Sequence, residues 1–146
     1  MGKCVKRSYS INLDYSIGYT EWAVQILCGD PILYGWTEYS ATASGTHVNA
    51  GDEPVNPLFT VTGAAAGPIR ITNSTVGKFI EVSGALTAGQ VLEVDFKAKT
   101  IKRAGVSIYG NLLTGSRWWK MMPGNNVITT SGGGTTNLKW RDGWLG

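Results

Sequence analysis

The feature that most constrains this chain is its punctuation. Short apolar runs, most of them alternating with polar residues, recur about every 8–12 residues, and Gly, Pro or Asn stands between one run and the next. Val91–Phe96 is the clearest case: Leu92, Val94 and Phe96 point one way, and Glu93 and Asp95 point the other. A period of two is that of a half-buried strand. A one-residue slip would bury both carboxylates, so Leu92, Val94 and Phe96 are expected in the core and Glu93 and Asp95 in solvent. Leu58–Thr62, Ile69–Asn73, Phe79–Gly84, Thr100–Arg103, Val127–Thr130 and Thr135–Arg141 read as further strands. Gly63–Pro68, Ala88-Gly89 and Lys97–Lys99 read as turns between them, and Gly132-Gly133-Gly134 as a hairpin tip. Upstream, Tyr19–Leu27 sets Trp22, Val24 and Ile26 on one face before Asp30-Pro31 breaks the run. Ser107–Leu113 holds one turn of helix at most. No segment repeats at a fixed period, which excludes a solenoid or propeller. The fold expected is all-β, an antiparallel sandwich or barrel preceded by a short N-terminal strand segment.

Composition agrees. The 146 residues make one domain's worth of chain, and 20 of them are glycine, about twice the usual share. Charged residues are 16%, too few for a coiled coil or an acidic disordered tail. No run approaches the roughly 18 apolar residues of a membrane helix, so no membrane insertion is expected. The basic start, Met1–Arg7, is not followed by an apolar stretch, so no secretory signal is expected. Residues 1–58 carry a net charge of −3 and residues 59–146 a net of +6. The basic residues are scattered, which is a mixed surface and no footprint for nucleic acid. Residues 40–53 have linker composition, dividing the chain into residues 1–45, a strand segment and linker, and residues 46–146, the sandwich. Thr46–Asn49 can equally be a first edge strand.

Groups for catalysis are scarce. His47 is the only histidine, and it reads as an exposed loop residue. Cys4 and Cys28 are the only cysteines; free thiols in a reducing cytoplasm are the favoured reading and a disulfide the alternative. A zinc site of the usual Cys/His kind therefore lacks ligands, and no metal or cofactor is expected. Glu93 and Asp95 share a strand face, as solvated carboxylates usually do. Gly132–Thr136 lacks the lysine, spacing and following helix of a phosphate loop. The six tryptophans carry more information. Trp118 and Trp119 are adjacent, so on a strand one would face in and the other out. An outward ring is a candidate sugar platform or interface anchor, while Trp140 reads as core filling. Arg117 and Arg141 are close enough in sequence to stack on these rings.

An ordered series of segments then runs from Asn49 to the end. It comprises Asn49–Phe59, with Gly51 and Pro57, then Ile71–Lys78, and Leu86–Gly89, with Gly89 at its close. Val91–Asp95, Gly115–Trp119, Pro123-Gly124-Asn125-Asn126 and Trp140-Arg141-Asp142-Gly143-Trp144-Leu145 follow. The series resembles the C-terminal domain of siphophage distal tail proteins and related minor tail proteins. Val24–Pro31, including Asp30 and Pro31, resembles the close of that family's larger N-terminal, ring-forming belt domain; with only residues 1–40 in its place, the chain reads as a shortened version, a divided version or a fragment. The resemblance implies a galectin-like jelly roll. It implies a structural virion protein of the tail tip or baseplate, joining the tail tube to the host-recognition apparatus, not an enzyme. The partners implied are copies of itself in a ring, hexameric by analogy, and other phage tail proteins. The place implied is the phage tail, assembled in the host bacterial cytoplasm. Asp30, Pro31, Gly51, Pro57, Gly89, Pro123, Gly124, Asn126, Trp140 and Arg141 carry the structural pattern. Binding of host surface glycans during adsorption, through Trp118 or Trp119, is the alternative role. The single histidine does not supply a galectin-type sugar site.

Overall fold

A computed structural model describes residues 32–145. The expected strand Tyr19–Leu27, its Asp30-Pro31 break and both cysteines lie outside the described residues. Ten strands and one turn of 3-10 helix make up the rest. In chain order the strands are β1 (Ile32–Tyr34), β2 (Tyr39–Thr42), β3 (Gly45–Asn49), β4 (Leu58–Asn73) and β5 (Lys78–Val82). Then come β6 (Val91–Asp95), β7 (Thr100–Arg103), β8 (Val106–Ser107), β9 (Gly124–Trp140) and β10 (Gly143–Leu145). The helical turn is Tyr109–Asn111, within the stretch expected to hold one.

Two long strands organise the molecule. β4 and β9 pair antiparallel from Leu58↔Lys139 to Asn73↔Ile128, with register shifts on either side of Ala65. Their outer neighbours change along the way. The first half of β4 pairs with β6, which continues to β7 and β8, and its second half pairs with β5. The last residues of β9 pair with β2 and the first with β3. The two halves therefore form the two leaves of a sandwich, joined through the bend of β4 and β9.

Glycines at the bend explain two departures from expectation. Gly63–Pro68 is not a turn between two strands but the middle of β4, and Gly132-Gly133-Gly134 is not a hairpin tip but the middle of β9. Here the two backbones cross too closely for side chains. A Cβ on Gly132 would collide with the Pro68 carbonyl oxygen and lie 2.9 Å from the Ile69 Cα. Gly132, with φ +103°, also takes a conformation that L side chains rarely adopt. Ala65, inside the bend, exchanges backbone hydrogen bonds of 3.0 and 2.9 Å with Leu86.

Alternation puts one face of every long strand inside. Phe59, Val61, Ile69 and Ile71 of β4, Leu138 and Ile128 of β9, Ile80 of β5 and Ile101 of β7 share one buried cluster. Leu92, Val94 and Phe96 are buried in it, as expected from their spacing. Glu93 and Asp95 are half-buried, not fully exposed, because each has local work: Glu93 lies 3.7 Å from Lys102, and Asp95 accepts the N–H groups of Lys97 and Ala98. Pro57 stands just before β4, where it owes no ladder bond, yet β4 is central in the sheet and not an edge strand.

Residues 40–53 are not a linker. They hold the end of β2 and all of β3, and both strands run along β9. The polar, small-residue composition fits edge strands whose outer face meets water, so the alternative edge strand at Thr46–Asn49 is the one formed. His47 is correspondingly not an exposed loop residue. It is buried in β3, with Nε2 2.9 Å from the Ala43 carbonyl oxygen.

Candidate functional site

The end of the sandwich where β9 leaves the core collects most of the singled-out residues. Trp140 turns inward and is nearly buried; Lys139 and Arg141, one position either side, turn outward. The indole stacks on Tyr39, with ring centroids 5.2 Å apart, meets the edge of His47 at 5.4 Å, and donates from Nε1 to the Val48 carbonyl at 3.2 Å. Arg141 does not stack on a tryptophan. Its guanidinium lies 3.6 Å from Glu38, whose carboxylate also faces Lys139 at 3.3 Å. All three side chains are close to half exposed, so these ion pairs orient the groups more than they stabilise the fold.

Buried amides and one buried carboxylate stitch this end together. Asn49 donates to the Glu53 carbonyl and accepts from the N–H groups of Gly51 and Gly143. Asp142, 5% exposed, accepts the Ala50 N–H at 3.1 Å, and its own carbonyl accepts the Gly35 N–H at 2.8 Å. A Cβ at Gly51 would collide with the Gly143 backbone, which is the reason for glycine there. β10 then pairs with β1, bringing the N-terminal end of the described chain alongside. Between these elements lies a groove of about 380 Å³. Tyr34, Asn56, Leu58 and Trp140 line it, with Lys97 and the Glu38–Lys139–Arg141 group around them. The Lys97 ammonium sits 4.6 Å from the centre of the Tyr34 ring.

Asn126 works at the opposite end of β9. It is not a turn residue but a fully buried clamp in the strand. Its Nδ2 donates to the carbonyls of Met122 and Gly124, at 2.7 and 3.0 Å, and its Oδ1 accepts the Met122 N–H and the Asn73 amide. The Pro123-Gly124 turn is thereby closed, with Gly124 at φ +82°. Gly89, at φ +85°, turns the chain into β6 as expected.

Trp118 and Trp119 lie on a connecting loop, not on a strand. Trp119 is core, packed on Phe96 at 4.5 Å and Phe59 at 5.7 Å. Trp118 is half-buried, edge-on to Phe96 at 5.1 Å and parallel to the exposed Tyr109 at 6.5 Å. Arg117 is exposed; the arginine that does cover a ring is Arg70, 3.7 Å from the centre of Phe79. Asp30 and Pro31 lie outside the described residues.

Among the described residues no three His, Cys, Asp or Glu side chains group to hold a metal ion, and no helix is long and apolar enough to cross a membrane. Glu38, Asn49, Asn73 and Asp142 were not legible as site residues in the sequence. Only Asn49-Ala50-Gly51 carried a local signal, that of an Asx turn.

A family model described as "Siphovirus-type tail component, C-terminal domain" matches residues 50–144. Among solved structures, the chain is similar to the SPP1 Dit (gp 19.1) protein, whose crystal structure is described as a paradigm of hub adsorption apparatus in Gram-positive infecting phages. The TM-score is 0.69 and the identity 25%, over 81% of this chain and 51% of that one. This chain thus spans about half the length of that relative. No curated protein matches it. The family match runs from Ala50 through β4 and β9 to Trp144, taking in the Asn73 and Asn126 amides, and the chain belongs to the siphovirus-type tail component family, as a protein of the phage tail.

Proposed function

We propose that this tail component acts at the tail tip or baseplate, joining the tail tube to the host-recognition apparatus through protein–protein contacts. The observation that carries the reading is the match of residues 50–144 to the C-terminal domain of a tail component, on a sandwich similar to that of a hub protein. The resemblance of Val24–Pro31 to the end of a ring-forming belt domain supports assembly of copies of the chain into a ring. Six copies is the stoichiometry that family analogy favours. The chain is assembled into tails in the bacterial cytoplasm. The buried amide clamps and the absence of a metal-ligand cluster among the described residues suit a rigid structural part. Cryo-electron microscopy of the intact particle tests this. The sandwich is expected in a ring at the distal end of the tail tube; density for it elsewhere in the particle would refute the reading.

The second reading is glycan binding during host adsorption. Tyr109 and Trp118 favour it, because their parallel rings sit at the surface end of the aromatic cluster and Tyr109 is half exposed. Trp119, buried beneath them, would act only as support. Binding on a glycan array that is lost in Trp118→Ala is the expected result if this reading is right.

A further inference from the structure

Among the described residues β1 and β10 make a sheet of two strands, each three residues long. Two strands alone are marginal in water, and a third steadies them. Ile32 and Tyr34 share the inward face of β1. Tyr34 packs against the core cluster, and a Cβ on Gly143, opposite Tyr34, would meet both Ile32 and the buried Val55. Tyr34 also lines the groove of about 380 Å³, together with Leu58 and Trp140. Lys139 and Arg141 line the same groove against one carboxylate, Glu38, and Lys97 adds a third cation. The chain that leads into β1 has matching chemistry. Tyr19–Leu27 sets Trp22, Val24 and Ile26 on one face, and Gly29, Asp30 and Pro31, all turn formers, follow it. Residues 8–31 contain Asp14, Glu21 and Asp30 and no Lys or Arg, opposite in sign to the surplus round the groove. The five residues 27–31 between Ile26 and Ile32 are a usual hairpin loop length. With Ile26 opposite Ile32, Val24 stands opposite Tyr34. Trp22 then comes two positions farther along on the same face, towards Glu38 and the groove. A slip of one residue would turn that apolar face to water.

We propose that Tyr19–Leu27 folds back along β1 of its own chain as a third strand and lays the Trp22 ring in the groove. The short tether favours this occupant over any other molecule, because it holds the segment beside the groove at a high effective concentration. Burial of the indole drives the docking, and the acidic segment is drawn to the basic rim. The proposal concerns the chain by itself and is independent of where in the particle it works.

Photo-cross-linking of the full chain in solution tests the proposal. With Trp22 replaced by the photoreactive residue benzoylphenylalanine, irradiation is expected to join position 22 to Tyr34, Leu58 or Lys139, as mapped by mass spectrometry. In an equal mixture of heavy-nitrogen and ordinary chains these links are expected within one isotope. Mixed-isotope links to the groove would overturn the proposal and make a second copy the occupant. Links to other residues, or none to the groove, would overturn it as well. Asn56→Trp narrows the groove and, with its thermal midpoint unchanged, is expected to lower the yield of groove links at least about tenfold; an unchanged yield would refute the groove as the seat of Trp22. In the unaltered chain, amides of residues 20–27 are expected to exchange hydrogen at least about tenfold more slowly than in a free peptide of the same sequence. Equal rates would refute the third strand.

Discussion

Replacing Gly132 by alanine probes the bend on which both leaves depend. The added Cβ would meet the Pro68 carbonyl and the Ile69 Cα, which are backbone atoms of the partner strand and cannot rotate away. Moving them means shifting β4 against β9 beside the buried Ile69, and overpacking of this kind costs about 1–3 kcal/mol. The φ of +103° adds about 1–3 kcal/mol for a residue with a side chain. Alanine also stiffens the unfolded chain, which offsets about 0.4–1 kcal/mol. The net expectation is a loss of about 1–5.6 kcal/mol, set against the roughly 5–15 kcal/mol that holds a domain together. Gly77→Ala is the control. It has φ +64° and nothing within 4 Å of the added Cβ, so only the backbone term of about 1–2 kcal/mol, less the same unfolded-chain offset of about 0.4–1 kcal/mol, remains. Urea unfolding followed by tryptophan fluorescence measures both. If the two variants lose the same stability within about 0.5 kcal/mol, the close crossing of β4 and β9 is wrong, whatever the absolute values.

Other expectations follow from particular contacts. Leu92→Ala and Phe96→Ala should each lose about 2–5 kcal/mol by leaving cavities in the core. Glu93→Ala should lose less than about 1 kcal/mol, because its pairing with Lys102 is close to half exposed on both sides; equal losses in chemical denaturation would mean the faces of β6 are reversed. Asn126→Ala removes a fully buried amide that serves Met122, Gly124 and Asn73, and should lose about 2–4 kcal/mol. An unchanged thermal midpoint would show that water replaces the clamp. Truncation before Ala43 deletes β1 and β2, including Tyr39, which stacks on Trp140, so a broadened unfolding transition is expected. A sharp, unshifted transition would place the edge of the core inside β2.

The strands and their faces were legible in the sequence because alternation is local. Val91–Phe96 carries its inward and outward residues in adjacent positions, and nothing distant is needed to read them. Gly89 was legible for the same reason: a turn with positive φ needs only its own residue type. Residues 40–53 misled because small polar side chains suit a linker and a solvated edge strand equally well. What separates the two is the partner strand β9, whose paired residues lie 75–99 positions away. His47 went the same way, since its ring packs against Trp140, 93 positions away.

By itself, then, the sequence determined an all-β chain with its apolar faces already chosen, because period-two patterning and turn residues act over a few positions. Only the tertiary structure decided that Gly63–Gly67, a Gly-Ala-Ala-Ala-Gly segment, and the glycine run 132–134 are a crossing and not two turns. Glycine answers two demands, a positive φ and the lack of a Cβ, and the second exists only once another backbone is at hand. The same holds for the candidate site. Glu38, Lys139 and Arg141 are ordinary surface residues in the sequence and become one charged group only when β2 is laid along the end of β9.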